Sequence, residues 1–223
     1  MIEAIIFDID GTLLDSVDLH AKAWQEAFAH FGHKIMFEDV RKQIGKGGDQ
    51  LMPVFLTEDE LERYGKELSE FRGRLFKQKY LALVKPFPGV RQLFETVKAH
   101  GQRPALASSA KADELGVYMR IAKIEDLVEV GTSSGDAEKS KPDPDIFQAA
   151  LDRLGKMEHG SVVAVGDTPY DAQAAGKAGL KTVGVLCGGF PAEELKSAGC
   201  IALYAGPEDL LQHYDESPLA PGK

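Results

Sequence analysis

The chain has 223 residues, 43% of them apolar, enough to bury one large domain or a core with a smaller insert. Its 35 acidic residues outnumber 26 basic ones, and the net charge of −9 speaks against nucleic acid or an anionic membrane surface as the main partner. Cys187 and Cys200 are too few for a disulfide scaffold and lack metal-ligand spacing. With no basic n-region at Met1-Ile2-Glu3 and no apolar run of spanning length, a reducing cytoplasm is the expected setting.

The first predicted element is the apolar run Ala4-Ile5-Ile6-Phe7, which ends in Asp8-Ile9-Asp10-Gly11. A short apolar run stopped by Gly reads as a strand of a parallel sheet covered on both faces, and ligands gather at the carboxyl end of such strands. Asp8 and Asp10 start on the same side of an extended segment. Two converging carboxylates there require a shared cation or a retained proton; the plainer alternative is a pair of strand-end Asp residues bonded to a turn.

After Leu14 the period becomes helical. Asp15 and Ser16 suit a cap, and Val17, Ala21, Trp24, Phe28 and Phe31 form a stripe that stops at Gly32. His20 lies near the start of this helix. A short helix from Phe37 to Ile44 leads into Gly45-Lys46-Gly47-Gly48, a turn that either offers Lys46 to an anion or simply joins two helices. Leu61, Tyr64, Leu68, Phe71 and Leu75 mark a long amphipathic helix, broken at Pro86-Phe87-Pro88-Gly89.

From Gly89 onward helices and strands alternate, as in βαβ units. Strands are expected at 104–107, 127–130, 161–165, 182–186 and 201–205. The sequence therefore predicts an α/β fold, with a Rossmann-like parallel-sheet core over 1–15 and 86–215. An all-helical cap is expected over 16–85, and a flexible tail over 216–223.

The strand ends carry polar groups: Asp8 and Asp10 at the first, Ser108-Ser109 at the second, and Asp167 after Gly166, with Asp171 one helical turn later. Lys141 sits in Ser140-Lys141-Pro142-Asp143-Pro144 before a helix. Singly these are caps and loop residues. Together, on one sheet edge, they make an oxygen-rich site with one fixed cation.

Phe7-Asp8-Ile9-Asp10-Gly11-Thr12-Leu13, Ser108, Lys141 before Pro142, and Gly166-Asp167-Thr168-Pro169-Tyr170-Asp171 resemble the four ordered motifs of the haloacid dehalogenase (HAD) superfamily. The resemblance covers nearly the whole chain and is to the subgroup with a helical cap after the first motif, which includes phosphoglycolate phosphatases and β-phosphoglucomutases. It implies Mg²⁺ and phosphoryl transfer through an aspartyl-phosphate, with Asp8 as nucleophile and Asp10 as general acid and base, its pKa raised by neighbouring carboxylates. It further implies metal ligation by Asp8, the backbone carbonyl of Asp10 and Asp167, with Thr12 and Asp171 behind them and Ser108 and Lys141 on the phosphate oxygens. Ser109, Lys46 and His20 are candidates for substrate contacts. Asp10 argues against the branch that removes halide from carbon. The expected activity is hydrolysis of a small phosphorylated metabolite. The alternatives are a phosphosugar mutase and, from another class, a receiver-type phosphoacceptor domain.

Overall fold

The computed structural model describes residues 1–158 and 160–220. Its strands are β1 (Ala4–Phe7), β2 (Leu14–Asp15), β3 (Lys85–Pro86), β4 (Arg103–Ala107), β5 (Val130–Thr132), β6 (Val162–Gly166), β7 (Lys181–Val185) and β8 (Cys200–Tyr204). Six of them form a parallel sheet in the order β5-β4-β1-β6-β7-β8. The chain winds outward from β1 in both directions, so the crevice where the winding reverses lies beside β1.

Residue alternation sends each strand's side chains to both faces, and both are covered. Ile5, Phe7, Leu106, Val163 and Val165 pack with the helices Val90–Ala99, Ala112–Ala122 and Pro207–Gln212. Ala4, Ile6, Ala105, Ala107 and Ala164 face the helices Asp145–Leu154 and Pro169–Lys177. Alanines dominate that second face, which lets the two helices lie close to the strands.

The segment between β2 and β3 is helical and has an apolar cluster of its own, in which Val17, Trp24 and Phe28 of the helix Val17–His30 meet Val40, Leu51 and Leu68. After two short helices, a long helical stretch runs in contiguous turns from Glu58 to Leu83, opened by a capping box in which the Thr57 hydroxyl and the Glu60 carboxylate satisfy each other's backbone N–H groups. The two connections to the sheet pair with each other, Leu14 opposite Pro86 and Asp15 opposite Lys85.

Several expected boundaries move. The helix from Phe37 ends at Arg41. The strand expected over 127–130 begins only at Val130, because the N–H groups of Leu127 and Val128 both turn back to Ile124 O. The loose tail expected from Glu216 does not hold for Ser217 to Ala220: Leu219 is fully buried, and its carbonyl accepts from Gln102 Nε2 at 2.7 Å. A leucine packed in the main apolar cluster, with a donor for its carbonyl, outweighs the loop-forming prolines beside it. Residues 221–223 of that expected tail lie outside the described residues. Both cysteines are free thiols, and no helix among the described residues is long and apolar enough to cross a membrane.

Candidate active site

Sheet register decides which side chains meet. Phe7 of β1 lies opposite both Leu106 of β4 and Val165 of β6, so the residues that follow, Asp8, Ser108 and Asp167, leave the sheet at nearly the same level. Gly11 then turns the chain at φ +90°, a conformation only glycine adopts without cost. The glycine is needed for space as well, since a Cβ there would sit 2.3 Å from Asp167 Oδ2.

Asp8, Asp167 and Asp171 are all buried and offer carboxylate oxygens within 4.8 Å of one another. The Lys141 ammonium, 1% exposed, lies 2.5 Å from Asp8 Oδ1 and 2.8 Å from Asp171 Oδ1, and donates to Ala107 O at 3.1 Å. Burial opposes its charge, but Asp171 and Asp8 hold its pKa above the usual lysine range. Asp171 is anchored by a capping box: its Oδ2 accepts from the Thr168 N–H and hydroxyl, and its own N–H donates to Thr168 Oγ1. Thr12 Oγ1 donates to Asp167 Oδ1 at 2.7 Å.

Three carboxylates surround one ammonium here, an excess of negative charge that a dry pocket does not tolerate. Burial pushes Asp8 up to about 7 and Asp167 well above the ordinary range, with the other carboxylates adding to both shifts and Lys141 opposing them. Asp167 Oδ2 is buried with no hydrogen-bond partner, and the approach of Gly188 keeps it so, because a Cβ there would fall 1.7 Å from that oxygen. All-oxygen donors, surplus negative charge and an orphaned carboxylate oxygen fit a hard divalent cation.

Asp10 faces the other way. Its Oδ1 accepts from Ser16 Oγ at 2.6 Å and pairs with His20 Nε2 at 2.9 Å. Behind the imidazole, Arg72 Nη2 contacts His20 Nδ1; a guanidinium only donates, so Nδ1 accepts and the ring proton is assigned to Nε2, facing Asp10. The His20 ring stacks on Phe76 at 4.0 Å between centroids, and the Arg72 guanidinium lies over Trp24. The expectation that neighbouring carboxylates raise Asp10 does not hold. Burial alone would raise it, but His20, the Ser16 hydroxyl and the Arg72 charge outweigh burial and hold it below the ordinary value. Asp10's carboxylate is accordingly outside the three-carboxylate group; the ligand expected from this residue was its backbone carbonyl.

Between these groups and the helical segment lies a cavity of about 310 Å³, lined among others by Asp8, Asp10, His20, Lys46, Arg72 and Ser109. Lys46 Nζ donates to Gln43 Oε1 and sits 4.7 Å from the Tyr170 ring centre, and partial burial lowers its pKa. Ser108 is buried beside the cavity, its Oγ accepting from Ala110 N at 3.1 Å, which leaves the hydroxyl proton to donate elsewhere. Arg72, Trp24, Asp49 and Glu114 also reach the cavity and escaped the sequence reading. Arg72 had a readable signal: it stands midway in the four-residue series Leu68, Arg72, Phe76, a charge within an apolar line. Gly188 carried none.

Three comparisons accord with this geometry. The family model described as haloacid dehalogenase-like hydrolase matches residues 5–185. A phosphorylated carbohydrates phosphatase of Thermotoga maritima is 32% identical over 215 residues, covering 94% of this chain and 96% of that protein. A phosphoglycolate phosphatase of Nitrosospira multiformis is 30% identical, covering 91% of each. Among solved structures, a hydrolase from Pseudomonas syringae superposes with a TM-score of 0.87 at 28% identity, over 96% of this chain and 98% of that one.

Proposed function

Since the chain belongs to the haloacid dehalogenase-like hydrolases, we propose that it hydrolyses a small phosphorylated metabolite, with Mg²⁺ bound at Asp8 and Asp167 and a covalent phosphoryl intermediate on Asp8. The observation that carries this reading is the buried group Asp8, Asp167 and Asp171 with Lys141, beside a cavity that Asp10 shares. A cation there would screen the incoming phosphate from the carboxylates and favour the ionised form of Asp8.

In the first half-reaction an Asp8 oxygen bonds to phosphorus as the ester P–O bond breaks. Lys141 and the Ser108 hydroxyl are the groups that can stabilise the nonbridging oxygens. The leaving alkoxide needs a proton, and Asp10 is the acid within the cavity that can supply it. Held ionised by His20 and Ser16, Asp10 must first take up a proton, from solvent or from a singly protonated phosphate. In the second half-reaction Asp10, ionised again, accepts a proton from water as that water displaces phosphate from Asp8. Thr12 and the Thr168 capping box hold Asp167 and Asp171 in place throughout.

We further assign residues 1–15 and 86–215 to the catalytic core and 16–85 to a cap that carries substrate selectivity, with Lys46 and His20 of the cap and Ser109 of the core as substrate contacts in the cavity, and the cytoplasm as the working compartment. A mutase would need a second phosphate site on the cap side. The cavity wall presents Asp49 from the cap and Glu114 and Lys111 from the core, and both cap cations in that wall are engaged, Lys46 by Gln43 and Arg72 by His20, which favours a substrate with one phosphate. Family membership and the helical segment remove the receiver reading. The test is a panel of phosphorylated metabolites with Mg²⁺, with Asp8→Asn as the blank. Release of inorganic phosphate without an isomeric product is expected from the parent, and a variant as fast as the parent sinks the assignment of Asp8.

A further inference from the structure

The loop that carries Lys141 has few anchors of its own. Glu138 N and Lys139 N donate to Asp145 Oδ2, and Lys177 holds Pro142 O and Asp143 from one side. Within the loop Asp143 N donates to Ser140 O, and the Lys141 ammonium is itself held by Asp8, Asp171 and Ala107 O. A further hold on the backbone comes from the cap. Asp49 Oδ2 accepts the N–H of Ser140 at 3.1 Å, and Gln50 Nε2 reaches Asp143 Oδ2 at 3.4 Å, so the two cap residues bracket Lys141 in sequence. Gly47 seats against the same loop so closely that a Cβ would lie 2.0 Å from Ser140 Oγ and 2.4 Å from its Cβ. Gly47 has φ −74° and ψ 168°, extended backbone open to any residue. Its lack of a side chain therefore serves the contact and not the backbone.

We propose that cap residues Gly47, Asp49 and Gln50 form a clasp on the Ser140–Asp143 loop, and that seating of this clasp positions Lys141 between Asp8 and Asp171. The inference rests on the phosphatase reading for its catalytic consequence only. Asp49 is a positioning residue: it touches Ser140, and Lys141 touches the nucleophile. Closure of the cap over a substrate and completion of the charge pattern at Asp8 then become one event. A site with its cap raised holds a less well placed ammonium, which guards Asp8 against reaction in the open state.

The double-mutant cycle Gly47→Ala, Ser140→Gly and both together is the test, with p-nitrophenyl phosphate and Mg²⁺ as probe. The Gly47 methyl is compatible with its backbone but not with a seated clasp, so Gly47→Ala is expected to lower kcat by about tenfold or more, with KM changed far less and the melting temperature kept. Against Ser140→Gly, which removes the two nearest atoms and leaves only Asp49 Oδ1, the far end of a side chain, at 2.7 Å, the same change is expected to cost under about threefold. Asp49→Asn, whose amide oxygen can still accept the Ser140 N–H, should lose less than Asp49→Ala. Equal costs of Gly47→Ala in both backgrounds, or none in either, overturn the clasp. Hydrogen exchange over residues 138–143 supplies a readout without turnover: Gly47→Ala and Asp49→Ala should speed it, and unchanged exchange in both also overturns the proposal. A parent that exchanges as expected but hydrolyses no phosphoester refutes the phosphatase reading and leaves the clasp standing.

Discussion

Asp8 and Asp10 are two residues apart, of one chemical type and in one loop, yet their surroundings drive them in opposite directions. Asp8 sits on the sheet side among Asp167, Asp171 and Lys141, where burial and like charges push it up to about 7. Asp10 sits on the cap side, where His20, Ser16 and Arg72 hold it below the ordinary value in spite of burial. The sheet side gathers negative charge that a cation or protons must offset. The cap side brings donors to a single carboxylate. Two different tasks, nucleophile and proton carrier, can thus be divided between neighbouring residues by environment alone.

The largest expected effect breaks the sheet side. Asp8→Asn should reduce phosphate release by at least about a thousandfold, read in a coupled phosphate assay, and an excess of chelator should do the same to the parent. Next comes Gly188→Ala, whose methyl would collide with Asp167 Oδ2. Isothermal titration with Mg²⁺ should show affinity falling by about ten- to a hundredfold, while affinity equal to the parent's would mean that Asp167 takes no part in the cation site.

Breaking the cap side should be milder and should appear in the pH profile. Loss of the imidazole in His20→Ala leaves Asp10 with burial less opposed, so its pKa rises. The alkaline limb of kcat/KM, which follows the protonated Asp10 used in the first half-reaction, should move to higher pH, with about a tenfold loss at the maximum because Asp10 is no longer oriented; a shift in the other direction contradicts the role given to His20.

The smallest effect is on stability. Asp8 is raised from 3.8 to about 7 on folding, so the unfolded chain releases the proton first as pH rises. The contribution is fully present below the unfolded value and is lost progressively as pH rises through about 7. Metal-free protein should therefore melt at lower temperature at pH 7.5 than at pH 5, and Asp8→Asn should flatten that slope. Added Mg²⁺ should raise the melting temperature more at pH 7.5, because the ligand carboxylates must be ionised to bind it.

Much of the fold was legible because its signals are local. The run Ala4–Phe7 stopped by two aspartates and a glycine, the helical stripe from Val17, and Val162–Gly166 before Asp167 each state their own period and stop. The strand near Val130 slipped because Leu127 and Val128 are apolar for a different reason, packing a turn against the core. Leu219 was misread because a buried carboxyl-terminal segment depends on Gln102, more than a hundred residues earlier.

The residues of the site were legible by kind and order, since acidic, hydroxyl and basic groups at the ends of parallel strands must share one edge. Their states were not. The downward shift of Asp10 depends on Arg72 orienting His20 across a cap interface, and the emptiness around Asp167 Oδ2 depends on Gly188, which has no side chain to announce it. Sequence by itself determined the α/β order, the inserted helices and the carboxylates at the strand ends, because hydrophobic period and turn chemistry act over a few residues. Only the tertiary structure decided which carboxylate is raised, which is lowered and what holds Lys141, because desolvation and charge pairing act through space between residues far apart in the chain.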